Sequence, residues 1–227
     1  RVFEISDSLI ANHNVDIMDK YDIRRFSSID DGLTFQPDFA VVANPTRFHI
    51  DTAMPLVESG IPVLIEKPLS YSMQGVEELL KLSLKKDVPV LVGYMMRFHP
   101  GAIKLKELIA TNSLGKIYNV NVMVNSYMPS WHRYEPYTAL YAGQQDLGGG
   151  VTLTEVHELD LICWYFGAPK KIASVGGKLS DFDLDVEDTV SVLMEHSFNS
   201  CPVFTIIQMS FTQQAPLRQL TILGEYG

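Results

Sequence analysis

Three short apolar runs, at residues 39–42, 63–65 and 89–93, are separated by stretches whose apolar residues follow helical spacing. Each run is too short for a helix and shows no in-out alternation, the pattern of a strand buried on both faces. Between the first two, Thr46 can cap a helix running to about Ser59, with Ile50, Met54 and Val57 on one side and Gly60 as the stop. Pro55 argues against that helix, because proline removes a donor and crowds the preceding turn. A second helix opens at Ser72, carries Val76, Leu79, Leu80, Leu82 and Leu84, and ends near Lys86-Asp87. A third starts at His99-Pro100-Gly101, runs through Leu108 and is closed by Gly115. Strands and helices that alternate over such short links wind into a parallel sheet.

After Gly115 the period changes. Residues 117–127 alternate, with Ile117, Asn119, Asn121, Met123 and Asn125 on one side and Tyr118, Val120, Val122 and Val124 on the other, as a half-buried strand does. Residues 128–148 are irregular, rich in tyrosine and too long for a plain connection. A helix from about 150 to 166 follows, ended by Gly167-Ala168-Pro169. Strand-like runs at 172–176, 189–195, 203–211 and 219–223 have no helices between them, which points to an antiparallel sheet. Two domains are expected, 1–100 and 101–227. Residues 2–5 read as a strand and 29–33 as a short helical turn.

Composition narrows the function. The 227 residues carry a formal charge of −9 with no dense basic stretch, which argues against nucleic acid as a partner. No apolar run reaches the roughly 20 residues needed to span a bilayer, and no signal peptide is evident. Cys163 and Cys201 fit no metal spacing and no disulfide framework. A reducing cytoplasm, and no metal, are the expectations. The chain opens at Arg1 without methionine and closes at Gly227 just after an apparent strand, so both ends read as cut.

Chemistry-bearing residues gather where the strands end, the place where open parallel sheets bind ligands. Glu66-Lys67-Pro68 follows the second run; a lysine there is placed to do chemistry, or is a surface lysine before a turn. Asn44-Pro45-Thr46, with His49, ends the first run at a helix start, suited to an anion or a polar cofactor edge, or serving as a plain cap. Gly93-Tyr94 with Arg97 ends the third; the guanidinium can meet a carboxylate or phosphate, or bridge the domains. Gly148-Gly149-Gly150 precedes a helix with Thr154 and His157 on one face and Asp160 a turn further, able to orient the imidazole. The three glycines let the backbone approach a ligand. Tyr127, Trp131, His132, Tyr134, Tyr137 and Tyr141 offer flat faces and hydroxyls that suit a sugar, or form a packed aromatic lid or an oligomer contact.

In this order the four strand-end and helix motifs resemble the Gfo/Idh/MocA oxidoreductases, over roughly residues 38–223. The stretch from Ser130-Trp131 to His157-Glu158-Leu159-Asp160 is most similar to members linked to surface sugars and nucleotide sugars. The resemblance implies a Rossmann-like parallel sheet, incomplete at its start, then an α+β domain with an open, mostly antiparallel sheet that carries homodimer or homotetramer contacts. It implies NAD or NADP as cofactor and a cis bond before Pro68. The glycine-rich phosphate loop and the ribose-binding acid, both absent, are expected before Arg1. Asn44, Pro45, Thr46, His49, Glu66, Lys67, Pro68 and Arg97 would line the cofactor. Lys67, Arg97, Trp131, Tyr141, Thr154 and His157 would face a sugar-like substrate. His157 would take a hydroxyl proton as hydride leaves the same carbon, with Lys67 stabilising the developing alkoxide. Thr154 stands where many members carry an assisting acid; Glu155 is adjacent but about 100° around the helix. That departure keeps a second reading open, a cofactor-binding regulator without turnover.

Overall fold

The computed structural model describes residues 20–132 and 135–227. The strand expected at 2–5, and Tyr134, lie outside them. A short helix, α1 (Ile29–Leu33), leads into β1 (Ala40–Val42), α2 (His49–Glu58), β2 (Val63–Ile65), α3 (Val76–Lys86) and β3 (Val90–Val92). The three strands form one parallel sheet in the order β1-β2-β3, with Val42 opposite Ile65 and Ile65 opposite Val92.

Helices α2 and α3 press Ile50, Ala53, Leu56, Val57 and Leu79 onto Val42, Val63 and Ile65. Among the described residues only that face is covered. Val41, Leu64 and Leu91 point to the other side and are exposed, which corrects the expectation of strands buried on both faces. Two helix boundaries are corrected as well. Residues 46–48 form a 3-10 turn, and α2 starts at His49. α3 starts at Val76 rather than Ser72, because Gly75 has φ +75° and a Cβ there would lie 2.7 Å from the Ile50 side chain. Pro55 sits inside α2 without ending it. Its missing donor costs one hydrogen bond, to the carbonyl of the exposed Asp51.

The chain then enters α4 (Pro100–Ala110), whose first turn is capped by the His99 imidazole accepting from the Gly101 N–H. β4 (Ile117–Tyr127) follows, then four 3-10 turns, then α5 (Val151–Thr154) and α6 (Val156–Phe166). β5 (Lys171–Gly177), β6 (Thr189–Phe198), β7 (Cys201–Ser210) and β8 (Thr212–Gly224) complete a second sheet in the order β5-β6-β7-β4-β8. All its pairings are antiparallel except β4 with β7. One face, with Val120, Val122, Val192, Ile207 and Met209, is buried under Leu161, Ile162, Tyr165 and Phe166 of α6.

The alternation expected in β4 breaks at its start. The register against β8 shifts between Ile117 and Asn119, so Ile117 is buried on the side of Val120 while Tyr118 is exposed. A bulge of this kind adds one residue to one strand and reverses the parity of everything before it.

The expected helix over 150–166 is two helices. Glu155, at φ −94° and ψ 27°, leaves helical geometry and separates α5 from α6.

Candidate active site

Two strand-end turns are tied together by one buried imidazole. His49 is 1% exposed. Its Nδ1 lies 2.8 Å from the Pro68 carbonyl and its Nε2 lies 2.9 Å from the Asn44 carbonyl. The turn after β1 is thereby joined to the turn after β2. The Asn44 amide donates to Thr52 Oγ1 at 2.8 Å, and Thr46 is buried. The Lys67-Pro68 peptide bond is cis. Glu66 continues the sheet, donating its N–H to the Val42 carbonyl, and its carboxylate lies over Gly93 so closely that a Cβ there would approach to 3.3 Å.

Lys67 reaches from the end of β2 to the second domain, where its ammonium donates to the Thr154 carbonyl at 2.6 Å. The break at Glu155 makes that carbonyl available. In a continuous helix it would accept from the Glu158 N–H, which instead reaches the Glu155 carbonyl at 3.3 Å. Burial holds the Lys67 ammonium below its ordinary pKa, partly offset by the nearby Glu155 and Glu66 carboxylates.

His157 stands on the first turn of α6. Its pKa falls to about 4, first through burial, then through the Lys67 and Arg218 charges; Asp160 and Glu66 oppose the shift. The imidazole is neutral at pH 7 and can take a proton. Its Nδ1, like Thr154 Oγ1, is buried with no hydrogen-bond partner among the described residues. The Tyr94 ring meets His157 edge-on, at 6.4 Å between centroids. Tyr141 approaches from the long loop, and burial together with Glu66 raises its phenol pKa.

Other predicted residues have partners within the protein. Asp160 does not orient the imidazole: it grips Arg97 through two bonds of 2.8 and 2.6 Å. Arg97 also lies over the rings of Tyr94 and Trp164, and the Asp160 contact raises its pKa further. Trp131 packs edge-on against Phe211 and donates its indole N–H to Ser126. Tyr127 and Tyr137 pack on Phe182, with the Tyr137 hydroxyl accepting from the Asp183 N–H.

The triple glycine makes its close approaches to protein. A Cβ on Gly148 would lie 3.0 Å from Thr46 and Tyr71, one on Gly149 2.5 Å from the Tyr141 carbonyl, and one on Gly150 2.5 Å from the Glu187 carboxylate. Gly148 thus marks where the long loop docks on the turn after β1.

Sequence reasoning missed Arg218. From β8 its Nε donates to Glu158 at 2.8 Å and its Nη2 to Glu155 at 3.0 Å. Both carboxylates are nearly buried. Burial outweighs the guanidinium and holds Glu158 up at about 7. No local signal marks this arginine, since its partners lie some sixty residues away.

Two family models match successive parts of the chain. Residues 102–227 match the GFO/IDH/MocA C-terminal domain. Residues 4–94 match the oxidoreductase family with an NAD-binding Rossmann fold. A 2,7-anhydro-N-acetylneuraminate hydratase of Mediterraneibacter gnavus is 26% identical over 82% of this chain and 49% of its own. An inositol 2-dehydrogenase of Leifsonia xyli subsp. xyli is 31% identical over 67% of this chain and 41% of its own. The chain thus spans about half the length, or less, of these curated relatives. Among solved structures, the WlbA dehydrogenase of Bordetella pertussis, solved with NADH and UDP-GlcNAcA, superposes with a TM-score of 0.80 at 24% identity, over 92% of this chain and 59% of its own. GenD2 from gentamicin A biosynthesis, solved with NAD, also gives 0.80, at 23% identity and the same coverage.

Proposed function

The chain belongs to the GFO/IDH/MocA oxidoreductase family, and from that premise we propose that it transfers hydride between a nicotinamide cofactor, NAD or NADP, and a CH–OH carbon of a sugar, sugar acid or nucleotide sugar. The observation that carries this reading is the convergence of Lys67, from the end of β2, with the Thr154 carbonyl and His157, from the break between α5 and α6. The names of the relatives support the substrate class, since inositol and N-acetylneuraminate are both polyhydroxylated ring compounds.

The residues fit such a cofactor. Turns 44–46 and 66–68, at the carboxyl ends of parallel strands, form the edge where a ligand enters this kind of sheet. The buried Nδ1 of His157 and Oγ1 of Thr154 leave polar capacity to be met there. When bound, the nicotinamide supplies the hydride acceptor or donor. The protein does the rest. Neutral His157 accepts the hydroxyl proton as the carbon is oxidised. The Lys67 ammonium, fixed by the Thr154 carbonyl, faces the oxygen on which negative charge develops. Tyr94 packs the imidazole in place, and Tyr141, kept protonated, offers the substrate a donor.

Three coarser elements complete the reading. The two domains meet near residue 100, a boundary supported by two separate buried clusters. The chain works as a homodimer or homotetramer through the uncovered face of the second sheet, where Val175, Leu193, Phe204 and Ile206 are exposed. Its setting is the cytoplasm, supported by free Cys163 and Cys201; no described helix is long and apolar enough to cross a membrane.

The test follows nicotinamide absorbance in the full-length protein, with NAD or NADP and a panel of sugars, sugar acids and nucleotide sugars. Turnover should appear with at least one of them. Lys67→Ala and His157→Ala should each lower kcat by roughly 10²–10⁴-fold with the fold intact. Cofactor binding without turnover across the panel would sink the dehydrogenase reading.

A further inference from the structure

Two acidic side chains, Glu155 and Glu158, lie within a turn of each other, both nearly buried. Left alone they would repel, and one would have to take up a proton. Arg218 opposes this, without fully offsetting burial at Glu158, by reaching across from β8, where it stands opposite Val124 of β4. Its planar fork gives one nitrogen to each carboxylate, and a further contact of 3.5 Å to Glu158. Glu155 is also the residue at which the helix breaks, and the break exposes the carbonyl that holds the Lys67 ammonium. The three facts form one mechanical chain, from the sheet of the second domain to a lysine of the first.

We propose that Arg218 is a positioning residue for Lys67: by holding Glu155 and Glu158 together it keeps the helix broken at Glu155, and the break turns the Thr154 carbonyl to the lysine. The side-chain partners of Arg218 are Glu155 and Glu158, not Lys67. It acts through Glu155. It also sets the electrostatics of the pair, because its charge lowers the proton affinity of both Lys67 and His157. The catalytic part of this inference rests on the oxidoreductase reading; the structural part does not.

The groups that bear on His157 are Lys67 and Glu66 from the end of β2, Arg218 from β8, and Asp160 on its own helix, with the Tyr94 ring at its edge. Removing Arg218 takes away one cation, and Glu158, already held at about 7, is uncharged where His157 titrates. The lost cation favours the imidazolium, so the midpoint of His157 must rise. That rise reads the charge of Arg218; its positioning role is read in the kcat of Arg218→Lys and Glu155→Ala.

The experiment uses the full-length protein and three variants, Arg218→Gln, Arg218→Lys and Glu155→Ala, read by NMR titration of the His157 ring and by steady-state kinetics. In Arg218→Gln the midpoint should rise from about 4 by at least about half a unit. Its kcat should drop about 10–100-fold, the size expected when a reacting group is misplaced by about 1 Å, while cofactor KM stays nearly constant. Arg218→Lys restores the charge but cannot fork between two carboxylates, so the midpoint should return to the wild-type value and kcat only in part. Glu155→Ala leaves Arg218 paired with Glu158 and should lower kcat with little change in melting temperature. A wild-type midpoint in Arg218→Gln, or unchanged kcat in Glu155→Ala, would overturn the proposal. If Arg218→Gln does not fold, the other two variants decide. If the wild-type protein turns over no substrate, the dehydrogenase reading fails, and the His157 midpoint still decides whether Arg218 governs the pair.

Discussion

At the scale of single residues, the neighbours His157 and Glu158 carry opposite shifts, and the signs can be worked through. Burial and two nearby cations hold His157 at about 4, below its ordinary 6.5. Its contribution to stability is present above pH 6.5 and is lost as pH falls through about 4. Burial raises Glu158 from 4.5 to about 7 against the pull of Arg218. Its contribution is fully present below pH 4.5 and is lost as pH rises through about 7. Between pH 4.5 and 6.5 the two slopes oppose each other, so the wild-type protein should be nearly flat there. Glu158→Gln keeps an acceptor for Arg218 and removes one slope. Relative to wild type it should gain on the order of 2–3 kcal/mol as pH rises from 4.5 to 7. Urea unfolding at several pH values reads this directly. Parallel curves for the two proteins would mean that Glu158 is already ionised in the fold, held by Arg218 more strongly than burial opposes it.

At the scale of elements, close packing is carried by the triple glycine. Gly149→Ala would drive a Cβ to within 2.5 Å of the Tyr141 carbonyl and 2.6 Å of the Ala142 carbonyl. Neither backbone can yield easily, and overpacking of this kind costs about 1–3 kcal/mol. Gly177→Ala, at the end of β5, meets nothing within 4 Å and serves as the control. The expected outcome is a lower melting temperature for the first and an unchanged one for the second; equal values would refute the packing role. The same elements show what a sequence can reveal. The three parallel strands were legible because short apolar runs between turn residues have few other uses, and their ends located Asn44, Lys67 and Arg97. β4 was legible by its alternation, except at its two register shifts, near Ile117 and near Asn125, which carry no residue signature. The break at Glu155 was not legible. Residues 151–166 contain no glycine or proline to mark a stop, and the break is fixed by Arg218 and Lys67, whose positions relative to it exist only in the folded chain. Asp160 was read as the partner of His157 from helical spacing alone, yet a bidentate arginine from another element holds it.

At the scale of the whole molecule, the two sheets divide the labour. The parallel sheet presents strand-end turns to a ligand, and the second sheet buries one face under α6 while the other stays open. That open face carries exposed apolar side chains in need of cover. Val175 is 75% exposed, and Leu193, Phe204 and Ile206 are each above 40%. They lie on β5, β6 and β7, adjacent strands of the second sheet. A self-complementary surface closes by two-fold symmetry, so a second copy of this chain satisfies it without a further partner. Burial of roughly 800 Å² per partner would suffice for a stable contact. The active site lies behind α6, on the buried side of the sheet, so dissociation should leave its chemistry in place. Replacing Leu193 and Ile206 together with glutamate puts like charges into the centre of the contact, where an unpaired buried charge is strongly disfavoured. In sedimentation or light scattering, the full-length protein should run as a dimer or tetramer and the double variant at a lower mass, with nicotinamide binding retained. Equal masses for the two proteins would show that this face does not join copies of the chain.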